Sequence, residues 1–353
     1  MLLNTNTYSG YTKLSSGKIG LGSSTVESAP PTIDAGPVGT GQFTIDSGTA
    51  AISIYAAGGA QVVANNINYD NTNTSTPFVI NGANSLNLSG LFDLSGTNRV
   101  IEVDNSADTT LSGDITDDGN VYGFTKTGAG NLYLDGTNDF TGNLTNSAGL
   151  LAGSGIVTGP VVVLSGASLG AGDDGVIPGT LTLNGGLTLN GNVSVRVNKS
   201  QVQSNDLISV TGPLVNAGTG TVTVANVGTA LKVGDAFTLF SQPVTGSALT
   251  VSGGGVTWNN HLATDGGITV ASIVPTTPPV FFDTVLSGTS IVSGVSNGAA
   301  GSTYYVLAST NLALPRASWT PIATNTYPSG VFYLTNAITP GVSQRFYLLS
   351  PTP

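Results

Sequence analysis

Few side chains in this 353-residue chain have the types and spacing to do chemistry. Two adjacent acid pairs stand out, Asp117-Asp118 in "TDDGN" and Asp173-Asp174 in "GAGDDG". Their hard oxygens are of the kind that calcium takes. Carboxylates set about 5–10 Å apart could also serve as the acid and base of a glycoside hydrolase. Against both, no Arg or Lys lies close by in sequence, and Asp in a D-D-G turn is expected for the hydrogen bonds it makes to backbone. The D-x-D-x-D-G loop and the G-G-x-G-x-D series of dedicated calcium sites are missing. Turn chemistry is the reading, with calcium at Asp117, Asp118, Asp173 and Asp174 kept as the alternative.

The remaining candidates are sparse. His261 is the single histidine, in "VTWNNHLATDGG". A Ser-His-Asp triad with Asp265 is formally open, but no G-x-S-x-G elbow exists, so a turn histidine near Trp258 is expected. Trp319 with Tyr304 and Tyr305 could stack a sugar; such aromatics also make the core of a small sandwich, and that is the preferred reading. Glycine pairs such as Gly128/Gly130 and Gly153/Gly155 lack the third glycine, the Lys and the helix of a phosphate loop. With no cysteine there are no disulfides, thiolates or Cys-based zinc sites. No catalytic residue and no cofactor are assigned.

The elements that would hold these residues are strands. The chain has 49 glycines and only 8% charged residues, yet 39% of positions are hydrophobic, which a disordered Gly-rich chain would lack. Short runs alternate. In residues 179–197, Leu181, Leu183, Leu187, Leu189, Val193, Val195 and Val197 share one face, and the Thr, Asn and Ser between them point out. Glycines punctuate every five to ten residues, and no segment has the periodicity of an amphipathic helix. "TNTYSGYTKLSSGKIGLG" (5–22) matches "TNDFTGNLTNSAGLLAGS" (137–154) without gaps, an internal repeat of the kind that stacks units. A parallel β-helix is favoured over a sandwich for this region. At roughly 20–25 residues per rung it would have about 11–13 rungs and run about 55–60 Å.

Nine Lys and Arg stand against nineteen Asp and Glu, a formal charge of −10. That balance excludes a basic nucleic-acid footprint and disfavours an anionic membrane surface. No apolar run has the roughly 18–20 residues of a membrane helix. The start, "MLLNTNTYSG", does not read as a signal peptide; the chain either stays inside or is a fragment of a longer exported protein.

"TKTGAGNLYLDGTNDFTGNLTNSAGLLAGSG" resembles the autotransporter-associated β-strand repeat, through Lys126, Gly128, Gly130, Leu132, Leu134, Gly136, Asn138, Phe140 and Gly142. "SNDLISVTGPL" and "VGDAFTLF" resemble late passenger segments with an Asp-initiated strand. The resemblance covers most of residues 1–274. It implies a right-handed parallel β-helix, exported and displayed outside a bacterial cell. "QRFYLLSPTP" is not followed by the strands of a translocator barrel, which leaves the secretion route open.

"PTTPPV" begins a change of composition at 275–280, where closely spaced prolines make a stiff linker. The aromatic-rich residues 281–353 read as a small β-sandwich, similar to the closing module of repeat-rich secreted proteins of Verrucomicrobia-type bacteria. The expected organisation is a β-helix over 1–274, the linker, and the sandwich. The expected function is a non-enzymatic structural or adhesive stalk, with surface glycans or other cell-surface proteins as its partners. The alternatives are a carbohydrate-active β-helix enzyme and a glycan-binding C-terminal module. Within the repeat, Leu132 and Leu134 should point inward beneath Phe140 and Leu144. Gly128, Gly136 and Gly142 should sit at corners, and Asp135 should lie on the surface.

Overall fold

The computed structural model describes all residues except 47, 49, 71–75, 174, 274–278, 299–301, 328–330 and 351–353. Asp174 and most of the Pro-rich linker therefore lie outside the described residues. Two compact units divide the chain. One comprises residues 1–229, 237–251 and 260–267; the other comprises 230–236, 252–259 and 268–353. Among the described residues the only helical element is a 3-10 turn, Arg316–Ser318, and no helix is long and apolar enough to cross a membrane.

The first unit is a parallel β-helix with three faces. Face one has ten strands, from Gly17–Leu21 to Thr245–Gly246. Face two rises from Gln61–Val63 to Thr221–Asn226. Face three has five strands, Thr12–Leu14 to Ile115–Thr116, and then four, Thr137–Asn138 to Leu207–Val210. The Asp139 N–H donates to the Ile115 carbonyl at 3.0 Å and carries the ladder between the two sets. The chain visits the faces in the order one, two, three and then starts the next rung.

Period-two patterning makes this coil. All seven apolar residues expected to point inward in 179–197 are buried. Leu132, Leu134, Phe140 and Leu144 are each fully buried, and the Phe124 and Phe140 rings meet edge to face at 5.6 Å. Residues 126–142 visit the three faces in turn, and the circuit closes where Asn146 pairs with Lys126. Lys126 lies in the face-one strand Phe124–Thr127, Leu132–Leu134 lies on face two and Thr137–Asn138 on face three. At the corners the rungs come too close for a side chain. A Cβ on Gly136 would lie 2.5 Å from the Gly113 carbonyl oxygen, and one on Gly142 would lie 2.4 Å from the Tyr122 carbonyl carbon. Gly128 has φ +76°, a conformation that favours glycine.

Two expectations change. The longest face has ten strands, not eleven or more. Register partners are 17 residues apart at Leu144 and Val161 but 30 apart at Val215 and Thr245, so late rungs consume more chain. An antiparallel hairpin, Val26–Ala29 with Thr32–Ala35, takes up more. The ungapped repeat is also one face out of phase. Gly17–Leu21 lies on face one, whereas its sequence counterpart Gly149–Ala152 lies on face two. Every face uses the same strand-and-glycine pattern, so a local match does not identify the face.

The second unit holds two three-stranded antiparallel sheets. One is Val280–Ser287, Ser290–Ser296 and Phe332–Ala337; the other centres Thr303–Ser309 between Thr320–Thr326 and Phe346–Ser350. Val295 from the first and Tyr304, Val306 and Leu349 from the second share one core with Tyr327.

The register is open to test. Leu134→Asp buries a charge and is expected to cost several kcal/mol in urea denaturation. The outward Thr145→Ala is expected to cost within about 0.5 kcal/mol. The reverse ranking would mean a strand register wrong by one residue.

Candidate functional site

The acids with chemical potential are held by backbone. Asp117 is 2% exposed. Its carboxylate accepts the N–H groups of Gly119 at 3.1 Å, Tyr122 at 3.3 Å and Thr141 at 3.0 Å, and the Thr141 hydroxyl at 3.2 Å. Thr141 belongs to the next rung, so Asp117 closes its own turn and staples two rungs. Asp118 is exposed, at φ +52° in the same turn. Asp114 does similar work, accepting the Thr137 N–H at 2.7 Å. Among the described residues no group of three or more His, Cys, Asp or Glu side chains could hold a metal ion.

Asp173 lies elsewhere on the coil, and it meets an acid far from it in sequence. The Ser154 N–H donates to Asp135 at 3.0 Å and the Ser154 hydroxyl donates to Asp173 at 3.2 Å, which brings both carboxylates to one residue. Desolvation first, and the neighbouring Asp173 carboxyl with it, push the Asp135 carboxyl up to about 6 against the lowering effect of the Ser154 N–H. Asp135 is thus half-buried in an acidic pair, and the expectation of an ordinary surface aspartate does not hold. Glu102 and Asp104 make a second such pair on face one; burial and Asp104 hold the Glu102 carboxyl above its ordinary range.

Beside Asp173 is an ion pair that sequence reasoning passed over. Arg196 Nε and Nη2 donate to the two oxygens of Asp206, both at 2.9 Å. Asp206, 1% exposed, also accepts the N–H groups of Arg196 at 2.7 Å and Gly179 at 2.9 Å. The same guanidinium donates to the carbonyls of Ala171, Asp173 and Gly175. This network ties the loop after Ala171 to the loop before Asp206. The "SNDLISV" aspartate is therefore a buried anchor.

Two cations are buried inside the coil. Arg99 is 2% exposed, with its guanidinium 4.7 Å above the Tyr69 ring, and burial lowers its pKa. Lys126 is fully buried and donates to the carbonyls of Gly128 at 3.1 Å and Ala148 at 2.6 Å. Desolvation brings Lys126 down to about 8, opposed by Asp104. Its register partner Asn146 donates to the carbonyls of Ser168 at 2.8 Å and Gly149 at 3.3 Å. Asn216, further along the same inner column, donates to those of Ser247 and Gly218. Lys126 stands in for an Asn in a row of buried donors that serve corner carbonyls. Strand parity carried the signal: Lys126 shares a face with Phe124, and Arg99 with Ile101 and Val103.

The other candidates do not converge. His261 is exposed at the end of the strand Val256–His261, and its carbonyl accepts the N–H groups of Thr264 and Asp265 in the turn that follows. The Asp265 carboxylate accepts the Gly267 N–H at 2.8 Å. Tyr304 is 1% exposed, packed at 5.5 Å from the Phe332 ring and 6.1 Å from that of Tyr327; burial pushes its phenol up to about 12. Trp319 is 9% exposed and donates to the Leu314 carbonyl at 3.1 Å. Tyr305 is half-buried on the opposite side of its strand from Tyr304. Neither Tyr304 nor Trp319 offers an open ring face to a sugar.

The chain is 35% identical over 178 residues to the adhesin BmaC autotransporter of Brucella suis biovar 1 (strain 1330). The match takes in 48% of this chain and spans only 5% of the adhesin's length. No family model matches the chain, and no solved structure matches it.

Two titrations follow from this geometry. Asp135 has a raised pKa in the fold, so its ionisation opposes folding, and stability falls as pH rises from about 4 toward 6. Asp135→Asn keeps an acceptor for Ser154, and its melting midpoint is expected above the wild type at pH 7 and level with it near pH 4. Lys126 has a lowered pKa, so stability rises between pH 8 and 10.5. Lys126→Met should erase that rise and, by leaving buried carbonyls without donors, cost about 1–3 kcal/mol at neutral pH in chemical denaturation.

Proposed function

We propose that this chain is a structural and adhesive stalk displayed on or outside a bacterial cell, with no catalytic activity of its own. The observation that carries the reading is the use made of its acids. Asp114, Asp117, Asp135 and Asp206 each accept a backbone N–H from a neighbouring rung. A carboxylate engaged in this way holds the coil together and is poorly placed to move a proton to a substrate. Similarity to an autotransporter adhesin supports the same reading and the extracellular or cell-surface location.

Glycans or proteins of a cell surface are the partners that fit a stalk of this kind. The likeness of residues 281–353 to a Verrucomicrobia-type closing module rests on its sequence pattern. The test pairs two assays on the purified chain. Immobilised protein should retain cells or a glycan array above an albumin control. The same protein should release no reducing ends or unsaturated sugars from a panel of acidic and plant polysaccharides. Product release that Asp135→Asn abolishes would overturn the stalk reading in favour of the enzyme.

A further inference from the structure

Face one carries a strip unlike the rest of the molecule. The outward residues Thr125, Thr145, Val162, Thr188, Val215 and Thr245 are successive parallel register partners over six rungs. Across residues 123–127, 143–147, 160–164, 186–190, 213–217 and 244–247 the only charged residue is Lys126, and its side chain is buried. On earlier rungs the same face points Lys18, Glu102 and Asp104 outward. The central column of the strip is Thr and Val, with exposed Pro160 and with Leu164 38% exposed beside Val162.

We propose that this strip is a self-association surface, on which a second copy of the chain packs sheet against sheet about a two-fold axis at Val162. Two arguments select a second copy. The first is charge. Any copy carries the same −10, so most approaches set like charges together, whereas this strip meets itself with no charge to desolvate or repel. The second is pattern. A two-fold interface must be self-complementary. About Val162 the ladder reads Thr145, Val162, Thr188 in both directions. The axis sets Val162 against Val162 of the partner subunit, with Pro160 and Leu164 around it, and sets Thr145 opposite Thr188 of the partner subunit. Side chains of two facing sheets interdigitate, with the sheets about 10 Å apart.

Size fixes the strength. The axis at Val162 pairs the five rungs from Thr125 to Val215, which at about 4.8 Å apart give a contact about 20 Å long and about 13 Å wide. Roughly 300 Å² per copy falls well below the about 800 Å² of a stable complex, so the contact is weak and reversible. Many copies crowded on one surface would strengthen it through effective concentration.

Sedimentation of the full chain in about 0.15 M salt tests this. The wild type should show a weight-average mass rising from one chain toward two between about 0.1 and 1 mM, as a Kd of about 1 mM corresponds to only about 4 kcal/mol of binding. Val162→Asp and Val162→Lys should each stay monomeric while keeping the wild-type circular dichroism and melting midpoint, since the residue points outward. An equimolar mixture of the two variants should associate again, because only a two-fold axis at Val162 sets Asp against Lys. Thr188→Asp provides a second disruption at the flank. A wild type that stays monomeric at about 1 mM overturns the proposal, as does Val162→Asp associating like the wild type. A mixture that fails to recover places the axis elsewhere and overturns it equally.

Discussion

The coil depends on one constraint: backbone that leaves a parallel ladder at each corner must still find hydrogen-bond partners away from water. An unpaired buried carbonyl costs about 1–3 kcal/mol, and three corners per rung repeat the problem along the whole stack. The sequence meets it in two ways. Glycine lets adjacent corners approach until the next rung's backbone is in reach, as where the Gly155 N–H reaches the Leu134 carbonyl at 3.0 Å. Where that fails, a side chain is turned inward as a donor. Asn105, Lys126, Asn146 and Asn216 do this after face one, and Asn65 and Asn138 do it next to face three. Asparagine suits the task because it is short and carries a donor and an acceptor together. Lys126 spans the same gap with a longer arm and brings a charge into the core.

That constraint explains why so little chemistry is on offer. Outside corners need acceptors for the N–H groups of the next rung, and Asp and Asn provide them. Asn98 accepts from Gly123 and Asn192 from Thr221 in the same manner as Asp114 from Thr137. The acidic balance of the chain is in large part this repeated structural choice. Where stacking happens to bring two such acids together, as at Asp135 and Asp173, the fold accepts a raised carboxyl pKa as the consequence.

Strand interiors were legible in the sequence because a period of two needs only neighbours. "TLTLNGGLTLNGNVSVRV" states its own inward and outward residues. Corners were less so. Asn, Ser and Thr between apolar positions read as outward, yet Asn138 and Asn146 are fully buried, since a corner breaks the alternation. Which residues stack could not be counted at all. Rung length runs from 17 residues between Leu144 and Val161 to 35 between Gly17 and Ile52, so Asp135 and Asp173 met with no fixed spacing to announce them. Phase failed at Gly17 and Gly149 because every face uses the same strand-and-glycine pattern. The buried cations were readable by parity, but hydrophobicity argued against putting Arg99 or Lys126 inside.

Variable rung length with constant register separates two jobs. Insertions leave at corners and return in step, so the ladder between Val163 and Leu189 is unbroken although the loop after Ala171 intervenes. Such a loop could flap; here Arg196 and Asp206 fasten its two ends to the rungs. A buried ion pair with every oxygen matched is costly to desolvate and gives little net stability against an apolar alternative. What it supplies is a single geometry for a loop with exposed Val176 and Ile177. The coil itself can therefore stay uniform, with its inward residues interchangeable among Leu, Ile and Val. Selection for new surface properties can act on the corners without disturbing the stack that presents them.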